Sequence, residues 1–562
     1  MKMKKYNKII KNIGVLVLMI MLANSCTKKF ERLNTQASLL SEDLVKPEFL
    51  LSGVQYSAGT GLDARNDGDY CGMTVRQDNA PFVDEFDDAA WYTTYTSLTN
   101  NLAAIIRKTE ADPDLVNKKA IARILKVWIF SQATDIYGDI PYFDANKVPD
   151  EANTSPKYDT QQSIYEDFFK ELKEAAAELD PAKESYGSAD LYYGGDVTKW
   201  KKFANSLRLR LALRVRYVDP QMAQTNMSDL QDSDLMTSRS DDALIYTAND
   251  IDAHKNGSYI DLINRPPQLD YVDHQLVGKA ILDALVGNSD RSHPLDPRTK
   301  VLTDSARLDG RTIVPPHAPF GFRAQPLLGV VPVENKYPYG SSSVSIYSLF
   351  WYVPVIERPV FRASEVYFAL AEAALFNLRA GDADAYYKKG IEAGVIQVQD
   401  FYNKTKDQVG EVFDLVGPDY ARGSTLNSFL AYKEMKQSEI DAFLASPTTT
   451  LTGTDEEKLE QIINQKMIVL YPNTLEGWSE WRRTGYPRVL VAPNEASTLH
   501  GVSPRRKHYP NGERLVNSNS FNEAIGRMGG KDDLLTRLWW DANTAAPHAH
   551  PGMVETRATP WK

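Results

Sequence analysis

Residues 195–213 read GDVTKWKKFANSLRLRLAL, and the spacing of the apolar side chains in this stretch decides the fold class. Trp200, Phe203, Leu207 and Leu211 recur at steps of three and four, which places them on one face of a helix that starts near Thr198. The other faces carry Arg208, Arg210, Arg214 and Arg216. A solvated basic face, or pairing inside an acidic body, accounts for these arginines better than a ligand site does.

The same periodicity extends in both directions. Upstream, Trp91, Tyr95, Leu98, Leu102 and Ile105 form one stripe, and Ile121, Ile124, Leu125, Trp128 and Ile129 form another. Asp112-Pro113 reads as an N-cap followed by proline in the first turn, and Gly138 and Pro141 close the element. A third helix opens with Asp159 and Gln162 at capping-box spacing and runs through Ile164, Tyr165, Phe168, Leu172, Ala175, Ala176 and Leu179 to Asp180-Pro181. Downstream, Arg362 to Phe376 carries the face Val366, Leu370, Ala373 and Ala374. Gly381-Asp382 then opens a partner with Tyr386, Tyr387 and Ile391. A last pair presents Leu459, Ile462, Ile463 and Leu470, then Leu475, Trp478 and Trp481. The expectation is a mainly α protein of about eight long helices. They form four degenerate tetratricopeptide-like pairs at about residues 91–217 and 362–484. Between them, residues 230–358 form a loop-rich insertion, punctuated by Arg265-Pro266-Pro267, His293-Pro294, Pro315-Pro316 and Tyr337-Pro338-Tyr339-Gly340.

The N-terminus differs in kind. Lys2, Lys4, Lys5, Lys8 and Lys11 precede an apolar run from Ile13 to Leu22. Ten residues are half of the about 20 that a spanning helix needs, so residues 1–25 read as an export signal. Leu22-Ala23-Asn24-Ser25-Cys26 has the form of a lipobox, with Cys26 as the acylated residue and residues 26–45 as a polar tether into one domain over 46–562. Cys71 is then the remaining cysteine and reads as a buried structural thiol. Net charge is −10, and the five lysines of the leader leave −15 on the rest, a poor match for nucleic acid or an anionic membrane surface.

Together these stretches resemble the SusD/RagB family of Bacteroidetes outer-membrane nutrient-binding lipoproteins. The likeness rests on Cys26-Thr27-Lys28-Lys29-Phe30 leading to Leu33-Asn34-Thr35, on ARILKVWIFSQATDIYGDIP from Ala122, and on Asp159 to Leu179. It continues through Gly195 to Leu213, Arg362 to Ala374, Trp478 to Thr484 and Leu538 to Asp541. The resemblance implies a helical-pair scaffold with a ligand site in the loop-rich part, and capture of oligosaccharide or peptide. It also implies a SusC-like TonB-dependent barrel as partner and a lipid-anchored position at the outer membrane. Lys28 and Lys29 stand where surface-displayed members often carry acids; the outside face is still the expected one.

Sugars offer apolar C–H faces and hydroxyls, so a site needs rings on loops with short polar side chains nearby. Two stretches qualify. Residues 63–91 contribute Asp69, Tyr70 and Asn79, whereas Trp91 begins a helical stripe and reads as structural. Residues 337–352 contribute Tyr337, Tyr339, Tyr347 and Trp351, with Tyr352 beside them. The sequence contains no HExxH, CxxC, GxxxxGK[ST] or GxSxG, and His548-x-His550 reads as incidental. No cofactor, metal or catalytic residue is expected. The leading expectation is non-catalytic glycan binding, ahead of peptide binding and, further behind, glycoside hydrolysis, which would need two carboxylates about 5–10 Å apart across a sugar.

Overall fold

The computed structural model describes residues 45–61, 67–75, 88–147, 155–264, 276–286, 293–304, 307–308, 311–312, 346–420, 425–488 and 503–546. The signal peptide, Cys26 and the tether up to residue 44 lie outside the described residues. The protein is mainly helical.

The first long helix, α1 (Pro47–Gly61), starts with proline at the position where a missing N–H costs nothing. Two short turns of helix, Ala89–Tyr92 and the wider π-type Thr93–Leu98, lead into α2 (Thr99–Thr109), and Trp91, Leu98, Leu102 and Ile105 are all buried. Asp112 caps the next segment as its sequence suggests, accepting from the Asp114 N–H at 2.9 Å, and Pro113–Leu115 runs into α3 (Val116–Tyr137). α3 is buried on nearly every side, the signature of a core helix. Gly138 ends it with φ of +92°, a conformation that suits a residue without Cβ.

The helix α4 (Gln161–Glu178) departs from the expected cap. Thr160, not Asp159, accepts from the Ser163 N–H. The Asp159 carboxylate accepts instead from the backbone N–H groups of Tyr142 (3.0 Å) and Phe143 (2.8 Å), pinning the chain segment after α3. Then come α5 (Val197–Val215), capped by Asp196, α6 (Ala363–Leu375) and α7 (Ala383–Thr405), capped by Asp382. They are followed by α8 (Asp455–Leu470), with a Thr454/Glu457 capping box, and α9 (Thr474–Thr484). Neighbours in sequence pack on each other, α2 on α3, α3 on α4, α4 on α5, α6 on α7 and α8 on α9; α6 also packs on α5 and α8. Gly390 lets α7 approach α6 closely, since a Cβ there would lie 2.8 Å from the Phe368 ring. The helices Val409–Tyr420, Leu426–Lys433 and Gln437–Leu444, like α1, were not anticipated.

Sequence periodicity does not reveal the short strands, which apart from β1 lie in or at the end of the loop-rich region. They are β1 (Thr74–Val75), β2 (Ala243–Tyr246), β3 (Leu276–Val277), β4 (Thr303–Asp304), β5 (Arg307–Leu308), β6 (Arg311–Thr312), β7 (Ile346–Tyr347) and β8 (Glu357–Phe361). β1, β3, β7 and β4 form a small antiparallel sheet in that order; β2 pairs antiparallel with β8, and β5 with β6.

The α5 arginines are buried, so the solvated-face expectation gives way to internal pairing. Arg208 reaches outward to Asp229 at 2.8 Å. The other three enter one ionic network. Arg214 binds Asp135, Glu476 and Glu480 at 2.6–3.1 Å; Arg210 binds Glu365 and Arg216 binds Glu372. Arg483 bridges Glu372 and Glu480, and Lys466 stands 3.4 Å from Glu480. Five acids thus meet five bases across α3, α5, α6, α8 and α9. Charges this deep persist because each has an opposite partner and hydrogen bonds. Burial alone would raise the Glu480 carboxyl, but Arg483, Lys466 and Arg214 together overcome it and hold the group well below the usual carboxylate range. Cys71 is buried, with its Sγ 3.6 Å from the Gly68 carbonyl. Among the described residues, no helix is long and apolar enough to cross a membrane.

Candidate functional site

Five parts of the chain meet around a cavity of about 380 Å3, within the size range of small-ligand pockets. α1 supplies Tyr56 and β1 supplies Thr74. The stretch after β2 supplies Thr247, Lys255 and Ser258. The turn before β8 supplies Trp351 and Tyr352, β8 itself Arg358, the α8–α9 connection Tyr471 and the start of α9 Thr474.

Trp351 and Tyr352 sit on a single tight turn, Leu349–Tyr352. The Trp351 ring lies 4.4 Å from Phe401 and meets Tyr471 edge-on at 4.7 Å, and its indole N–H donates to the Leu302 carbonyl at 3.3 Å. That packing fixes the ring, which is the condition for a stacking wall that loses little entropy on binding. Asn256, fully buried, organises the same wall. Its amide donates to the carbonyls of Trp351 (2.7 Å) and Val353 (3.0 Å), and its Oδ1 accepts from Arg358 Nη2 at 3.2 Å. Thr247 joins the ribbon to this wall, since its Oγ1 accepts from the Ile356 N–H at 2.8 Å and donates to the Pro354 carbonyl at 3.1 Å.

Elsewhere in the lining, the half-buried Tyr56 ring stands edge-on to His254 at 5.8 Å, and His254 Nδ1 lies 3.0 Å from the Asp250 carboxylate. Burial pushes the Tyr56 phenol up, and the Asp250 charge adds to the shift, so the hydroxyl stays protonated and able to donate. The described lining therefore offers rings, hydroxyls and two cationic side chains, with no carboxylate among its side chains. Such a set can hold a polar, ring-shaped molecule.

A SusD-like family model, described as starch-binding and associating with outer membrane, matches residues 70–510. The chain belongs to the SusD-like family. Its fold is also that of several solved structures. A chitin-binding protein is 30% identical, with a TM-score of 0.71 over 89% of this chain and 100% of that one. A chitin-binding SusD homolog from Flavobacterium johnsoniae is 23% identical, with a TM-score of 0.64 over 89% and 99%. A SusD homolog from Bacteroides uniformis is 24% identical, with a TM-score of 0.63 over 88% and 99%. No curated protein matches the sequence. As a SusD-like protein the chain falls in a family associated with the outer membrane.

The residues singled out in this SusD-like sequence meet different fates. Trp351 lines the cavity, as does Tyr352. Asp69 is buried one layer behind, its carboxylate accepting from the Thr74 hydroxyl at 2.7 Å, so it supports a lining residue. Tyr70 is half-buried with its ring 5.2 Å from Trp478. Tyr347 belongs to β7, paired in register with Thr303 of β4. Asn79, Tyr337 and Tyr339 lie outside the described residues. Trp91 packs among Tyr95, Tyr137 and Tyr158, as a structural ring. Tyr56, Lys255, Arg358 and Tyr471 were missed. No local pattern marks them, because each borrows its place from a different element.

Proposed function

We propose that this SusD-like protein binds oligosaccharide without chemical conversion and hands it to a SusC-like TonB-dependent transporter of the outer membrane. The observation that carries the reading is that Trp351, its ring held by Phe401 and Tyr471, lines one cavity together with Tyr352, Tyr56 and several hydrogen-bond donors. The chitin-binding name of the 30% identical relative adds support for a glycan. The absence of a carboxylate from the described lining supports holding over hydrolysis, which needs a general acid and a second carboxylate. Cys26 carries the lipid anchor, which keeps the protein at the membrane, facing the cell exterior. The paired helices, tetratricopeptide-like in arrangement, dock on the transporter, and the loop-rich part takes ligand. Nucleic acid is not a partner of a chain with net charge −10.

Isothermal titration against a panel of chitin, starch and other oligosaccharides tests the reading, with a parallel assay for released product. Binding in the micromolar range, lowered about ten-fold or more by Tyr56→Ala, is the expected outcome. Steady product release by pure protein, or binding of peptides alone, contradicts it. Loss of acyl labelling in Cys26→Ser tests the anchor separately.

A further inference from the structure

Resting on the glycan reading above, we infer that Arg362 is a positioning residue for ligand binding. It clamps the α8–α9 connection, which carries Tyr471, to β8, which carries Arg358, and so fixes two lining segments relative to each other. Arg362 is the extended residue between β8 and α6, and it is buried. Its guanidinium divides its donors between two elements. Nη1 donates to the carbonyls of Val469 and Tyr471, each at 3.3 Å, and Nη2 donates to Glu357 Oε1 at 3.2 Å. The last carbonyls of a helix have no partner within it, and a cation at that end also suits the helix dipole. Val469 and Tyr471 stand at the C-terminal end of α8, so the arginine meets a need that α8 creates. A planar fork can reach both elements at once, which a single ammonium cannot do in the same geometry.

Both ends of the clamp bear on the cavity. At one end, Glu357 is buried and also accepts from Arg239 Nη2 at 2.9 Å and from Lys404 Nζ at 3.0 Å. Burial alone would raise its carboxyl, but Arg362, Arg239 and Lys404 outweigh that and hold it below the usual carboxylate range, so the anchor stays ionised at neutral pH. Successive side chains of a strand point to opposite faces. Glu357 therefore turns to this ionic cluster while Arg358, the next residue of β8, turns to the lining. At the other end, Tyr471 lines the cavity, and its ring meets Trp351 edge-on at 4.7 Å. A shift of the Tyr471 backbone carries with it the ring on which Trp351 rests. Arg362 is not itself among the described lining residues, so its effect on a ligand passes through the segments it holds.

The test is a double-mutant cycle read as ligand affinity, by calorimetric titration of the full chain with oligomers of chitin and of starch. Arg362→Met is expected to lower affinity about ten-fold in the parent, but no more than about two-fold in a Tyr471→Ala background, where the clamp has no ring left to place. An arginine that only stabilises the fold lowers it by the same factor in both. Arg362→Lys keeps the charge but loses the fork, so it too weakens binding, and it replaces Arg362→Met in the cycle if circular dichroism shows that the methionine variant does not fold. Asp196→Ala is the control for lost stability, since its bonds reach Thr198 and Lys199 and neither lines the cavity. Equal losses in the two backgrounds, full affinity in Arg362→Lys, or an equal loss in Asp196→Ala overturns the inference while the glycan reading stands. A parent protein that binds neither oligomer overturns the glycan reading and this inference together.

Discussion

Arg214 contacts three carboxylates on two helices, so replacing it with Met leaves Asp135, Glu476 and Glu480 with less opposing charge in a buried site. Breaking one side of such an array costs about 3–5 kcal/mol, even though replacing an entire buried array with apolar side chains can be neutral. Urea unfolding should show the Arg214→Met midpoint falling accordingly; an unchanged midpoint would mean that the network adds nothing to stability. Glu480 adds a pH signature. Its folded-state carboxyl titrates below the ordinary value of 4.5, so its contribution is complete above that pH and is lost progressively as pH falls toward the folded value. The stability gap between the parent and Glu480→Gln is therefore widest near neutrality and narrows below pH 4.5. A gap that stays constant into acid contradicts this. At this scale the sequence was half legible. Internal pairing was one of two readings of the arginines, beside a solvated face, and Asp135, Glu476 and Glu480 lie 79, 262 and 266 positions from Arg214. No local rule links residues so far apart. The cavity side chains are hidden for the same reason.

Elements were easier where the signal is local. Asp112 and Asp382 cap the helices their spacing indicates, because a cap needs only the next two or three backbone N–H groups. Asp159 fails as a cap because it serves backbone N–H groups 16 and 17 residues earlier, a tertiary demand that overrides the local one. The two-residue strands are too short to show alternation. Two substitutions test the helices. Asp196→Ala removes the bonds to the Thr198 and Lys199 N–H groups and should cost about 1 kcal/mol in thermal or urea unfolding. Gly390→Ala sets two effects against each other. In an exposed helix alanine would stabilise by about 1 kcal/mol. Here its Cβ would press on the buried Phe368 ring at 2.8 Å, and overpacking of that kind costs about 1–3 kcal/mol. We expect net destabilisation, which Gly390→Ala paired with Phe368→Leu should relieve; stabilisation by the single change would show that α6 and α7 adjust freely.

Across the whole molecule, the ionic network and the packing of α6 on α5 tie the helices before the loop-rich region to those after it. The two sets should therefore unfold together. Calorimetry is expected to give one transition, with Arg214→Met shifting all of it; two resolved transitions would divide the single domain proposed for residues 46–562. The family was legible from ordered helical motifs spread along the sequence, since those motifs encode packing between neighbours. The candidate site was legible only as a stretch rich in rings, because its walls are assembled from segments that meet only in the folded chain. The balance of opposite charges inside the helical core has one further consequence, for descent. Any single replacement that removes a charge among those ten side chains strands an uncancelled one, so inheritance can neutralise them only through coupled, mutually rescuing changes. That set should drift as a slow clock while ligand-facing segments diverge quickly, and lineages could change diet without rebuilding their frame.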